Sequence, residues 1–137
     1  MTDDNRPVPE ADRQNGPYWQ HAAREEFVLP RCADCGTYAA PPVNNCGTCL
    51  GEQFDWVPAS GEGTVYSFLE YRRAWTPDWA DHVPYLVGVV QLAEGPRIVT
   101  GLDYEVDGGL PAVDAAVRVV FEPRGEAARV PVFRSAR

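Results

Sequence analysis

Four cysteines carry the clearest chemical signal in the sequence. They form two CxxC pairs, Cys32 with Cys35 and Cys46 with Cys49, and ten residues separate the pairs. Two residues between ligands let the backbone fold into a tight knuckle, and two such knuckles supply the four thiolates of a tetrahedral Zn²⁺ site. Gly36 follows the first pair and permits the positive φ that such a knuckle often needs. The spacing predicts a zinc ribbon with one structural zinc ion per chain.

Two other uses of the cysteines compete with zinc. Paired disulfides need an oxidising compartment, but the first thirty residues contain no apolar segment of the kind found in secretory signals. A redox CxxC pair would be expected beside a βαβ pattern, which the sequence does not show. Because four protein thiolates close the coordination shell, the predicted metal holds the fold together and does not activate water.

The charge of the chain limits what it could bind. Its 137 residues include 20 acidic and 12 basic side chains, for a net charge of −8, and every basic residue is Arg. An acidic chain is repelled by a phosphate backbone, which argues against nucleic acid as a partner. Without Lys there is no Schiff-base chemistry, and Arg is left as the side chain that clamps phosphate or carboxylate groups. No apolar run is long enough to cross a membrane, so we expect a cytoplasmic protein with no membrane partner.

The elements that must position these residues follow a simple order. Residues 1–14 are polar and predict a flexible tail. Residues 15–29 contain the N-terminal helix, with Asn15 as a possible cap and a helical pattern that extends to Glu26. Its apolar stripe fits docking either on the chain's own domains or on a partner subunit. The zinc ribbon is predicted over 30–53, a barrel over 54–123, and a C-terminal surface tail over 124–137.

Strand patterns dominate the second half of the chain. Strands are predicted over 64–71, 85–92, 97–102 and 117–122. Gly88 and Gly101, inside two of these strands, fit bulges or sharp bends. Four or five short strands without helical spacers are typical of a small antiparallel barrel such as the OB-fold. The predicted fold is therefore mostly β: a helix, a rubredoxin-like zinc ribbon, a five-stranded OB-fold barrel and a tail.

A long loop, residues 72–84, is the main irregularity of the predicted barrel. It contains Arg72, Arg73, Trp75 and Trp79. An Arg pair beside an exposed Trp could clamp a phosphate and stack on a nucleotide, or it could anchor a protein interface. Alternatively, the two tryptophans cover one end of the barrel. Loops of this length are usually functional or disordered, and the sequence alone does not choose among these readings.

The sequence lacks a recognisable catalytic set. No GxSxG, glycine-rich phosphate loop or HExxH motif occurs. His21 lies in the predicted helix and His82 in the long loop, neither with an obvious nucleophile. Asp78 and Asp81 are ordinary loop carboxylates. Enzymatic activity of the isolated chain is therefore not expected.

The combination of these segments resembles a known family, the bacterial and archaeal zinc-ribbon/OB-fold proteins, a domain of unknown function associated with acyl-CoA. The matching segments span roughly residues 15–134: 31–36, Pro41-Pro42, the second knuckle, 61–67, Pro84-Tyr85, 92–95, 117–121 and 130–134. The family usually has a Gly turn before its last barrel strand, where this chain has residues 113–116. Asp114 can adopt the left-handed geometry of such a turn.

The resemblance implies a non-catalytic subunit of a thiolase-like enzyme, such as a thiolase, an acyl-CoA synthase or a steroid side-chain aldolase. The thiolase-like chain would supply the catalytic groups, and this chain would help to shape the acyl-CoA site in a 2:2 assembly. The candidate contacts to the partner or to acyl-CoA are Arg72, Arg73, Trp75, Trp79 and Tyr85. Two alternatives remain: a single-stranded nucleic-acid binder, which the charge disfavours, and a free-standing lyase or hydrolase.

Overall fold

The structure is a computed structural model that describes residues 6–10, 12, 15–104 and 109–136. Its elements in chain order are α1 (Gly16–Ala22), β1 (Val28–Cys32), β2 (Phe54–Pro58), β3 (Glu62–Tyr71), a 3-10 turn (Pro77–Trp79), β4 (Tyr85–Leu92), β5 (Arg97–Leu102), β6 (Ala116–Arg124) and β7 (Ala128–Ser135). Among these described elements, no helix has the length and apolar character needed to cross a membrane.

Strands β1 and β2 form a two-stranded antiparallel sheet that frames the cysteine knuckles. The register runs from Val28 opposite Pro58 to Cys32 opposite Phe54. The strand pattern predicted a barrel from residue 54 onward, but β2 pairs with β1 instead. The backbone groups of a buried strand need partners, and β2 supplies those of β1. The barrel therefore begins at β3.

The remaining five strands close into a barrel with the order β3-β4-β5-β7-β6. Neighbouring strands are antiparallel except β5 and β7, which run parallel where Gly101 lies opposite Val132 and Leu102 opposite Phe133. This arrangement confirms the predicted mostly-β architecture of helix, zinc ribbon and small five-stranded barrel.

The predicted C-terminal tail is wrong over most of its length, because residues 128–135 form barrel strand β7. This strand pairs with β6 from Arg124 opposite Ala128 to Val117 opposite Ser135. The side chain of Phe133 is fully buried in the core. Pro131 made the segment a poor strand candidate, since proline cannot donate a ladder hydrogen bond. The burial of its apolar neighbours outweighs that loss.

Helix α1 ends at Ala22, four residues before the predicted end at Glu26. The Glu25 N–H donates to the Ala22 carbonyl and the Glu26 N–H to the His21 carbonyl, while Glu25 has φ +59°. This is a Schellman ending in which glutamate takes the position usually held by glycine. Because no glycine stands at this position, the local sequence carries no signal for the end of the helix. Asn15 occupies the N-cap position, but its side chain does not cap a helix N–H.

The predicted bulges or sharp bends at Gly88 and Gly101 are wrong. The register is regular at Gly88 and Gly101, and the bulge lies instead in β3 between Val65 and Ser67. Gly88 serves close packing, because a Cβ there would lie 2.5 Å from Leu102 Cδ1. Asp114 has φ +71° and forms the left-handed turn expected of it, although this turn precedes β6 rather than the last strand.

One hydrophobic core joins the helix, the ribbon and the barrel. Phe27 packs edge-on against Tyr18 on one side and against Phe133 on the other, with ring centroids 6.0 and 5.8 Å apart. The other buried members are Leu29, Val65, Leu86, Val90, Leu92, Ile98, Leu102 and Val117. The apolar stripe of α1 therefore docks on the chain's own domains.

The predicted flexible tail, residues 1–14, is described only in part: residues 1–5, 11, 13 and 14 lie outside the described residues. Arg6 and Pro7 contact the barrel through Glu122 and Arg124. At these two residues the segment therefore lies against the barrel.

Candidate functional site

The four cysteines converge on one point, as their spacing predicted. Their sulfur atoms all lie within 4.8 Å of one another. The Sγ atoms of Cys32 and Cys49 are 3.5 Å apart, and those of Cys35 and Cys46 are 3.6 Å apart. Four thiolates around zinc at about 2.3 Å are separated by about 3.8 Å, so the sulfur arrangement fits one tetrahedral ion. These separations are far too long for disulfide bonds.

Each knuckle is held by local backbone hydrogen bonds. The Gly36 N–H donates to the Cys32 carbonyl, and the Leu50 N–H donates to the Cys46 carbonyl, each at 2.9 Å. Gly36 has φ +79°, as anticipated, but the equivalent position after Cys49 is Leu50, with φ +65°. The second knuckle therefore places a leucine where the first places a glycine.

Polar groups around the sulfur atoms favour thiolates at two of the four positions. The Thr37 hydroxyl lies 3.2 Å from Cys35 Sγ and, with the Thr37 backbone N–H, lowers the pKa of Cys35 to about 6. The backbone N–H groups of Cys49 and Thr48 lower the pKa of Cys46. These donors prepare the knuckles to bind a cation.

The fourth cysteine shows why a cation is needed. The Gly51 N–H lowers the pKa of Cys49, but the neighbouring sulfur atoms of Cys32 and Cys35 raise it, to about 12. Thiolates this close repel one another, and a divalent ion offsets that repulsion. Bound zinc would join the two knuckles. With four protein ligands it has no open position for substrate or water.

The exposed part of the long loop lies directly after β3. Arg72 forms an ion pair with Glu70. The Arg73 guanidinium lies over the Trp75 ring, with Cζ 4.5 Å from the ring centroid. Trp75 is 68% exposed. An aromatic ring held in solvent by a stacked guanidinium is available for contact with another molecule.

Trp79 and Tyr85 belong to a different environment. Their rings stack with centroids 4.6 Å apart, and Tyr71 stacks on the other side of Tyr85 at 5.1 Å. Burial, and to a lesser extent Tyr71, raises the pKa of Tyr85. The five candidate contact residues therefore divide into an exposed group, Arg72, Arg73 and Trp75, and a packed aromatic stack that contains Trp79 and Tyr85.

Sequence reasoning missed the residues that surround Trp79. Arg6 and Arg124 place their Cζ atoms 5.5 and 5.7 Å from the centroid of the Trp79 ring, and Glu122 pairs with both guanidiniums. A cavity of about 320 Å³ lies beside this cluster and is lined by residues of β4, β5, β6 and β7. No local signal could find the cluster, because the two arginines are more than a hundred residues apart.

The two histidines have contacts of their own. His21 Nδ1 lies 2.8 Å from a Glu26 carboxylate oxygen, at the exposed end of the helix. With Arg24, this contact lowers the pKa of Glu26. The His82 ring packs edge-on against Trp79, with centroids 6.1 Å apart. His21 lies in α1 and His82 in the long loop, as the sequence predicted.

Comparisons with known proteins assign both halves of the chain to one family. Residues 19–55 match the family model "ChsH2, rubredoxin-like zinc ribbon domain", and residues 56–122 match "ChsH2, C-terminal OB-fold domain". A solved structure described as "Ltp2-ChsH2(DUF35) aldolase" superimposes with a TM-score of 0.81 at 32% identity, over 94% of this chain and 99% of that chain.

Curated relatives include larger proteins. The chain is 36% identical over 112 residues to a probable enoyl-CoA hydratase alpha subunit of Thermomonospora curvata. The aligned region covers 79% of this chain and 34% of the relative. It is 34% identical over 73 residues to the benzoylsuccinyl-CoA thiolase subunit BbsA of Thauera aromatica, covering 53% of this chain and 49% of the relative. The chain thus spans about a third of the hydratase subunit and about half of the thiolase subunit.

Proposed function

Because this chain belongs to the family of ChsH2 zinc-ribbon and OB-fold domains, we propose that it is a non-catalytic subunit that binds a thiolase-like enzyme and helps to form its acyl-CoA site. The observation that carries the proposal is the 32% identical match to the Ltp2-ChsH2(DUF35) aldolase structure, which extends over nearly the whole of both chains. The closed four-thiolate site supports a non-catalytic role, since it leaves no ligand position for chemistry.

The proposed docking surface is the exposed group of the long loop with the adjoining end of β3. Trp75 and Leu69 expose most of their side chains, and Arg73 stacks on Trp75. Trp and Arg are the residue types that most often dominate the binding energy of protein interfaces. Trp79 and Tyr85 would support the loop from the barrel side rather than touch the partner.

The acyl-CoA contact is proposed at the same surface. Coenzyme A carries several phosphate groups, and Arg72 and Arg73 are adjacent exposed cations that can donate paired hydrogen bonds to phosphate oxygens. A 2:2 assembly follows if the thiolase-like enzyme is a dimer and each protomer takes one copy of this chain. A reducing compartment, the cytoplasm, would keep the four cysteines available for zinc.

Co-expression with a thiolase-like subunit tests the docking proposal. We expect the two chains to co-purify, with the mass of a 2:2 complex by native mass spectrometry. The Trp75→Ala variant should bind the partner at least tenfold more weakly, because it removes an interface anchor. Leu50→Ala is the matched control: Leu50 is equally exposed but lies on the ribbon, and its loss should leave affinity unchanged.

Binding of the acyl-CoA is tested in the assembled complex. With the partner in saturating excess, so that the complex stays assembled, Arg72→Ala with Arg73→Ala should raise the KM for acyl-CoA and leave kcat nearly unchanged, because it removes phosphate contacts and no catalytic group. A chain that stays monomeric beside such partners, or a Trp75→Ala variant that binds normally, would refute the docking surface.

The nucleic-acid alternative is not favoured. The net charge of −8 falls to about −10 when four thiolates bind one Zn²⁺ ion, and affinity for a phosphate backbone depends on cations. We expect no binding to a labelled single-stranded oligonucleotide, even at low salt.

A further inference from the structure

The segment Arg6–Val8 lies across one end of the barrel. The Arg6 side chain is only 14% exposed, and its Nη1 atom lies 2.7 Å from Glu122 Oε1 on β6. The Pro7 carbonyl accepts a hydrogen bond from Arg124 Nη1 at 3.3 Å. Val8 follows close to Gly125, in the turn between β6 and β7, with Cγ2 3.0 Å from where a Cβ would stand.

This segment meets the long loop at Trp79. The guanidiniums of Arg6 and Arg124 both lie near the Trp79 ring, and the same Glu122 oxygen accepts hydrogen bonds from both. The shared carboxylate offsets the repulsion between the two cations, and the indole ring adds a cation–π contact to each. Removing Arg6 would therefore take away an ion pair and a ring contact together.

The loop contains a single turn of regular structure, the 3-10 turn Pro77–Trp79. Its backbone hydrogen bonds are local, from Trp79 to Thr76, from Ala80 to Pro77 and from His82 to Trp79, at 2.9 to 3.2 Å. A single turn of 3-10 helix is not stable alone in water, so the order of the loop depends on side-chain packing. That packing includes the stack of Trp79 on Tyr85, the His82 ring against Trp79 and the two arginines near the Trp79 ring.

We propose that residues 6–8 form a strap that fixes the loop over 72–84 to the barrel through the contact of Arg6 with Trp79 and Glu122. The strap also borders the cavity beside β4 and β5, because Arg6, Trp79 and Arg124 are all among its lining residues. Release of the strap uncovers this cavity and frees the loop, while the barrel strands stay paired. The inference goes beyond the proposed function, since the effect is measured on the isolated chain without any partner.

Hydrogen exchange of the full-length, zinc-loaded chain tests the strap. In Arg6→Ala we expect peptides covering 72–84 to exchange at least tenfold faster, while peptides covering β4 and β5 keep the wild-type rate. Arg6→Lys keeps the charge but loses the planar guanidinium. The exchange rate of its loop peptides should therefore lie between those of the wild type and Arg6→Ala. Glu122→Gln should accelerate the same loop peptides, because it removes the shared carboxylate.

Arg24→Ala is the matched control, since Arg24 makes an exposed ion pair with Glu26 on the helix, away from the loop. It should leave exchange of the loop unchanged. A wild-type rate in Arg6→Ala would overturn the proposal and show that the stack on Tyr85 holds the loop alone. An equal acceleration of the loop and the barrel peptides would also overturn it, because Arg6 would then stabilise the whole fold.

Discussion

Two tryptophans four residues apart in one loop have opposite environments. Trp75 projects into solvent with Arg73 on its ring, whereas Trp79 packs among Tyr85, Arg6 and Arg124. The first is placed for contact with another molecule, and the second fixes the backbone that carries it. Tryptophan is common at binding sites, so residue type alone does not separate the two positions. Their contacts assign them different roles.

The two tryptophans should differ in their contribution to stability. Trp79→Ala removes a stacked, partly buried ring, and we expect it to lower the free energy of unfolding by about 2 kcal/mol. Trp75→Ala removes an exposed ring and should change it by less than about 0.5 kcal/mol. Urea unfolding of both variants makes the comparison. Equal losses of unfolding free energy would contradict the different roles assigned to Trp75 and Trp79.

Leu50 offers a stabilising substitution. It has φ +65° in the second knuckle and is 74% exposed, so its side chain gains little from packing and its backbone is strained. Leu50→Gly should raise the free energy of unfolding by about 0.5 kcal/mol, because relief of the left-handed strain exceeds the added entropy of the unfolded chain. Thermal unfolding of the zinc-loaded protein measures the change. The reverse change, Gly36→Leu in the first knuckle, should destabilise.

At the scale of elements, β7 completes the barrel. Phe133 is fully buried, and the strand pairs with β6 along its length and with β5 at two positions. Phe133→Ala should lower the free energy of unfolding by about 3–5 kcal/mol, as expected for a large ring removed from a core. Arg134→Ala, which removes only an exposed ion pair with Asp103, is the control. A small effect of Phe133→Ala would restore the interpretation of this segment as a surface tail.

The elements that the sequence predicted well are those defined by local patterns. Strands β4 and β5 have the predicted bounds, and the cysteine spacing alone located the metal site. The errors lie where a contact between residues distant in the sequence determines the structure. The pairing of β2 with β1, the entry of β7 into the barrel and the packing of Arg6 on Trp79 each join residues far apart in the chain. The early end of α1 depends on an unusual glutamate cap.

At the scale of the whole molecule, the ribbon and the barrel are not independent units. Phe27 and Leu29 enter the same core as the barrel residues, and Phe27 contacts Phe133 directly. Phe27 immediately precedes β1 and Leu29 is the second residue of this strand, which ends at the zinc ligand Cys32. Strand β1 therefore connects the metal site to the barrel core, and the ribbon residues Tyr38, Ala40 and Trp56 pack against the same core.

Metal removal should consequently weaken the whole fold. Without zinc, the thiolates of the four cysteines repel one another and the knuckles open. Small zinc domains whose folding depends on the metal behave in the same way. Loss of order in β1 would then withdraw Phe27 and Leu29 from the core, at a cost of about 3 kcal/mol or more to the barrel. For a chain of this size that corresponds to a fall of about 10 °C in Tm.

Thermal unfolding followed by circular dichroism, with and without a chelator, measures this coupling. We expect a single transition in both states, shifted to lower temperature in the chelator and restored by added Zn²⁺. A Cys46→Ser variant is the control: it lacks one ligand, so its Tm should already be low and respond little to the chelator. Two separate transitions, with the barrel melting at the same temperature in both conditions, would show that the ribbon and the barrel are stabilised independently.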